Sequence, residues 1–78
     1  MYKSSGILVN KQSVDDVIMM TIITEKGGRA NLELPKRKKD LVKKVNKLAL
    51  LNEIEVECEV YEVDQYNKLV ITKLRKHE

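Results

Sequence analysis

The chain is 78 residues long, 42% apolar and 35% charged, with a net charge of +3. That is one domain, near the size at which a single core only just suffices, and the absence of Trp and Phe makes that core aliphatic. No apolar run reaches membrane-spanning length, no charged-then-apolar leader opens the chain, and the single cysteine, Cys58, excludes an internal disulfide, so a cytoplasmic protein that avoids membranes is expected.

Met1 to Ser5 is polar and reads as a loose start to the one domain. Gly6-Ile7-Leu8-Val9-Asn10 then opens a β strand, and Lys11 to Asp16 is turn-like. Val17 to Thr24 is apolar on both faces, as in a buried strand or one with its second face in a binding groove. Placing Ile18, Met20 and Ile22 inward leaves Met19, Thr21 and Ile23 outward, and a one-residue slip would exchange the sets. Gly27-Gly28 supplies a hairpin turn into Arg29 to Leu34, where Ala30, Leu32 and Leu34 alternate with Arg29, Asn31 and Glu33. Beyond Pro35, the residues Leu41, Val42, Val45, Leu48 and Ala49 form one helical stripe, with Asp40 as the expected N-cap. After Asn52, Glu53 to Val60 alternates strictly, Ile54, Val56, Cys58 and Val60 inward and glutamates outward. The pattern slips at Tyr61-Glu62-Val63, which reads as a bulge or a bend. A turn over Asp64 to Asn67 leads to a partner strand, Lys68 to Leu74, and Arg75 to Glu78 reads as a frayed tail.

Charge is segregated along this order. Residues 36–47 hold seven basic side chains and one acidic, whereas residues 53–64 hold six acidic and none basic. Lys36, Arg37, Lys38 and Lys39 precede the positive end of the helix, where local energetics do not favour them. An anion bound there would account for them, as would a solvated basic loop. A basic patch of this kind is the usual footprint of a polyanion partner.

Catalytic and metal chemistry find little to use. His77 is the only histidine and lies in the tail, and Cys58 takes an inward strand position that suits an inert core thiol. One His and one Cys make no readable zinc site. Asp15-Asp16 reads as a turn, Glu55, Glu57 and Glu59 as a like-charged solvated or partner-facing row, and Gly27-Gly28 is no phosphate loop. The expectation is a non-enzyme with no catalytic residues, cofactor, metal or small-molecule substrate.

The order β-β-β-α-β-β, mainly β with one helix, resembles the OB-fold, the five-stranded Greek-key barrel that often binds oligonucleotides. The resemblance covers roughly residues 5 to 76, and this chain has Leu51-Asn52 where many members have Gly and Asp. It implies a barrel with the helix stoppering one end. It also implies a single-stranded DNA or RNA ligand across strands 2 and 3, between the loops joining strands 1–2 and 4–5. Position by position, that nominates Lys11, Gln12, Met19, Thr21, Arg29, Asn31, Tyr66, Lys68 and Lys73, with Lys36, Arg37, Lys38 and Lys39 as the adjoining basic segment. Only Tyr66 among three tyrosines falls in a loop near that ligand, so phosphate contacts should dominate a salt-sensitive affinity.

Two alternatives remain open at this point. The two-faced apolar strand 17–24 suits a protein-binding accessory subunit, for example of a replication or mobile-element complex, or a homodimer. Gly28-Arg29, Leu34-Pro35 and Asn67 to Ile71 also resemble the swapped-hairpin dimeric DNA-binding domain of the transition-state regulators. Against that, the segment Lys36 to Asn52 is longer than this family's, and the strands from Gly6 to Thr24 would be surplus to its plan.

Overall fold

The structure is a computed structural model that describes residues 1–77, so the expectation for Glu78 lies outside the described residues. Five strands and one helix follow in the order β1 (Tyr2–Val14), β2 (Val17–Thr24), β3 (Arg29–Pro35), α1 (Lys39–Asn46), β4 (Glu53–Val63) and β5 (Tyr66–Lys76). The strands close into a barrel in the ring order β1-β2-β3-β5-β4. All pairings are antiparallel except β3 with β5, which run parallel at Leu32–Leu69 and Glu33–Val70. This is the mainly β barrel with one helix that the OB resemblance implies. Each strand finds both neighbours within its own chain, so the swapped-hairpin plan is not the one adopted.

Closure depends on β1 serving both sides of the ring. Residues Tyr2 to Ile7 pair with β4 and Gly6 to Val14 pair with β2, with a bulge between Leu8 and Asn10. The polar start at Met1 to Ser5 is therefore mostly strand, because β4 supplies partners from Cys58 back to Glu55. The strand 1–2 connection shrinks to the two-residue turn Asp15-Asp16, with Asp15 at a left-handed φ of 49°. The strand 4–5 connection likewise shrinks to Asp64-Gln65, with Asp64 at φ 55°. Aspartate tolerates that region better than most residues, which is how two short hairpins form here without glycine. Lys11 to Val14 and Tyr66-Asn67 thus belong to strands and not to loops.

The core is aliphatic, as the composition requires. Leu8, Met20, Ile22, Leu32, Leu34, Val45, Ile54, Cys58 and Ile71 are all 0–1% exposed. The helix is shorter than its apolar stripe. Lys38 occupies the N-cap position without a side-chain cap, and Asp40 falls inside the first turn. Val45 and Leu48 join the core, with Leu41 and Val42 packed against it, while Ala49 is exposed. The chain leaves the helix through tight turns, Lys47 N donating to Lys44 O and Leu48 N to Val45 O. Asn52 then closes the connection, its Oδ1 accepting from the Ala49 amide at 2.9 Å.

Two sequence-level expectations about β4 and β5 need correction. The alternation does not break at Tyr61; the register shift lies at Glu57–Cys58, where Thr72 is the extra residue and its hydroxyl donates to Glu57 O. Glu59 to Val63 lose their inward burial because the hairpin projects past the barrel, where both faces are exposed. Arg75 and Lys76 are likewise paired strand residues, opposite Glu55 and Ile54.

Candidate nucleic-acid interface

Strand alternation and ring closure together assemble one continuous outer surface. On β2, burial of Ile18, Met20 and Ile22 turns Met19, Thr21 and Ile23 outward. They stand opposite Glu33, Asn31 and Arg29 of β3, and the Thr21 hydroxyl and Asn31 Oδ1 are 2.9 Å apart. Across the parallel seam Glu33 meets Val70, and Lys68 reaches back to Glu33 with Nζ 3.4 Å from Oε1. The antiparallel ladder carries the surface on to β4, with Glu59 opposite Val70, Tyr61 opposite Lys68 and Val63 opposite Tyr66.

A groove lies on this surface, lined among others by Val17, Pro35, Tyr61, Val63 and Val70. Lys36 and Arg37 also line it, and the Lys36 amide donates to Asp16 O at 2.8 Å, which ties the basic segment to the β1–β2 turn. Tyr61 and Tyr66 are diagonal neighbours on the hairpin, 48% and 59% exposed. At that spacing two aromatic rings can act on adjacent groups of one ligand. The Tyr61 hydroxyl donates to Glu59 Oε2, and this bond with the carboxylate's charge raises the phenol's pKa, while Arg37 acts in the opposite sense.

The nominated residues divide by where the fold sends them. Met19, Thr21, Arg29, Asn31, Lys36, Arg37, Tyr66 and Lys68 share the surface just described, and Gln12 joins its β1 margin opposite Met19. Lys11 does not join them. Its ammonium turns to the carboxyl end of α1 and donates to Val45 O at 3.2 Å and Leu48 O at 2.7 Å, where a cation satisfies carbonyls left free by the helix. Lys38 does line the groove, but its ammonium is engaged, donating to Ile71 O at 3.0 Å. Lys39 opens the helix beyond the groove, and Lys73 lies opposite Glu57 in a second depression with Tyr2, Lys44 and Arg75. Tyr61 is the residue that sequence reasoning missed. Its signal was the continued alternation Glu59, Tyr61, Val63, obscured because Glu62 between Tyr61 and Val63 does not read as inward.

Part of the acidic row is answered within the chain. Arg75 lies 2.6 Å from Glu55, Lys3 lies 3.8 Å from Glu57, and His77 stands between Glu53 and Glu55 at 3.6 and 3.8 Å. Cys58 is fully buried, and burial pushes its thiol up to about 11 against a smaller opposing effect of Lys38. Among the described residues no group of three His, Cys, Asp or Glu side chains is arranged to hold a metal ion. Among the described residues no helix is long and apolar enough to cross a membrane.

No family model matches the chain, and no curated protein matches it. Solved structures do. A chain of the "Crystal structure of S. pombe Stn1-ten1 complex" superimposes with a TM-score of 0.85 at 9% identity, covering 96% of this chain and 56% of that one. This chain thus spans little more than half the length of that neighbour. A chain of "OBody NL8 bound to hen egg-white lysozyme" superimposes with a TM-score of 0.81 at 12% identity, covering 99% of this chain and 92% of that one. Likeness at such identities is likeness of fold, and with the ring order and the helix position it makes this an OB-fold domain.

Proposed function

We propose that this chain is a small non-enzymatic binding protein that takes single-stranded DNA or RNA across β2, β3 and the outer side of the β4–β5 hairpin. The observation that carries the reading is the pairing of Tyr61 and Tyr66 on the surface that also presents Arg29, Lys36, Arg37 and Lys68. Bases stack on exposed phenols for about 1–3 kcal/mol each, whatever their sequence. Cations beside those rings supply the phosphate contacts. Because Glu33 already engages Lys68, the cations free for phosphate on this surface are Arg29, Lys36 and Arg37. Three neutralised phosphates correspond to a salt slope of about −2 in log affinity per log salt for a single strand. The balance differs from one resting on phosphates alone, because two rings and not one face the ligand.

Fluorescence anisotropy with labelled oligo-dT and oligo-U at about 50 mM salt tests this reading. Binding by both, weakened as salt rises, is the expected result. An oligonucleotide that fails to bind at that salt contradicts it.

A second reading has its own support. Met19 and Ile23 are exposed in part on β2, and Ile7, opposite Ile23 on β1, is 43% exposed. Both structural neighbours are described with a protein bound to or complexed with them. A protein-binding subunit of a replication or mobile-element complex, or a homodimer through strand 17–24, fits those features. Light scattering at rising concentration checks self-association, and Met19→Glu should abolish it. A monomer at all concentrations removes the homodimer.

A further inference from the structure

The basic helix is only partly explained inside the fold: Lys43 and Lys44 stand in its last turn, where cations suit the negative end of the dipole, and Asp40 lies four residues before Lys44. Lys36, Arg37, Lys39, Lys43, Lys44 and Lys47 are exposed, and none forms an ion pair among the described residues. The chain's acidic strand does not reach them: Glu55 and Glu57 are met by Arg75 and Lys3, Glu53 stands beside His77, and among the described residues Glu59 and Glu62 form no ion pair with the helix. Lys39, Lys43 and Lys47 follow one another at intervals of four, on the side opposite the buried Val45. Like charges at that spacing destabilise a helix. Lys39 adds to this by standing at the positive end of the dipole. In an eight-residue helix, with little stability of its own, both effects oppose folding. The stripe is nonetheless held firmly. Leu41, Val42 and Val45 anchor its other side to the core, and Lys11 fastens its carboxyl end to β1.

The stripe also adjoins the groove. Lys36 and Arg37 line the groove, and Lys39 begins the helix two residues later. We infer that Lys39, Lys43 and Lys47 form a second, sequence-independent phosphate track, along which a strand leaving the groove past Lys36 and Arg37 continues over the helix. The inference rests on the proposed single-strand reading and extends it beyond strands 2 and 3. It makes the site longer than the groove. Short oligonucleotides should fill the groove alone, and longer ones should reach the helix, within the range of about 4–16 nucleotides covered by single OB domains.

The test compares oligo-dT of about 6 and about 16 nucleotides on the whole chain and on a Lys39→Gln, Lys43→Gln, Lys47→Gln variant. Glutamine keeps helix propensity close to that of lysine, so the variant should fold and melt at the same temperature or higher. The longer oligonucleotide should show a steeper salt slope than the shorter one on the native chain, by about 2 for three added phosphates. The variant should lose that increment and bind the shorter one as before. Equal slopes for both lengths on the native chain, or an increment that survives in the variant, overturns the helix track while leaving the groove intact. Polyglutamate that binds the native chain but not the variant, with the long-oligonucleotide slope unchanged, assigns the stripe to an acidic protein and also overturns it. If neither oligonucleotide binds the native chain, the reading beneath the inference fails with it.

Discussion

At Gly6 an added Cβ would lie 2.2 Å from the carbonyl oxygen of Ile23 and 2.8 Å from its carbon, both backbone atoms that cannot step aside. Gly6 is also where β1 pairs with β2 and β4 at once, so the missing side chain lets the strand cross close to its neighbour. Gly6→Ala should therefore cost stability near the upper end of the usual range, about 2–3 kcal/mol, measured by urea unfolding. Cys58 gives a second expectation. Its thiol is raised to about 11 in the folded chain from an ordinary value of 9.0. Between these values the unfolded chain releases a proton that the folded chain keeps. The contribution is thus whole below pH 9 and falls as the pH rises toward 11. Cys58→Ala should remove that part of the alkaline decline in melting temperature, and the native thiol should resist alkylation until the chain unfolds.

Among the elements, α1 and the β4–β5 hairpin show what could be read from the residues and what could not. The five strands, the helix and the inward and outward sets of β3 were legible, because burial on one side imposes a period of two, whereas β2 is apolar on both faces and only its packing in the barrel settles which set is inward. The ends of elements were less so. Tyr2 to Ser5 look loose in isolation, and only pairing with β4 makes them strand. Lys11 illustrates the same gap at the candidate site: chain order places it beside the ligand loop, whereas its reach to Val45 O and Leu48 O depends on where α1 docks. Lys11→Met retains the apolar stem and removes the two hydrogen bonds, so it should destabilise the fold by about 1–3 kcal/mol. Oligonucleotide affinity of the folded fraction should not change, which separates a helix clamp from a ligand contact. Tyr61 was hidden for a related reason, since a hairpin that outruns its barrel loses the apolar inward positions that mark the period. Tyr61→Ala and Tyr66→Ala should each weaken oligo-dT binding by about 1–3 kcal/mol in anisotropy titrations, with melting temperatures little altered.

Seen whole, the molecule is a barrel in which Glu55 and Glu57 of β4 are paired with Arg75 and Lys3, while Lys36, Arg37, Lys39, Lys43, Lys44 and Lys47 form no ion pair among the described residues. The sequence showed the segregation of charge but not its partial cancellation, because pairing of Glu55 with Arg75 joins residues 20 apart. The outer surface of β2, β3, β5 and β4 is the place where aromatic rings and free cations coincide, and the proposed function depends on that coincidence. Amide chemical-shift mapping of the isotopically labelled chain with oligo-dT examines it most directly. The account predicts that the largest shifts cluster at Thr21, Asn31, Arg37, Tyr61, Tyr66 and Lys68. Shifts confined to the second depression around Tyr2 and Lys73, or no shifts at all, would contradict it.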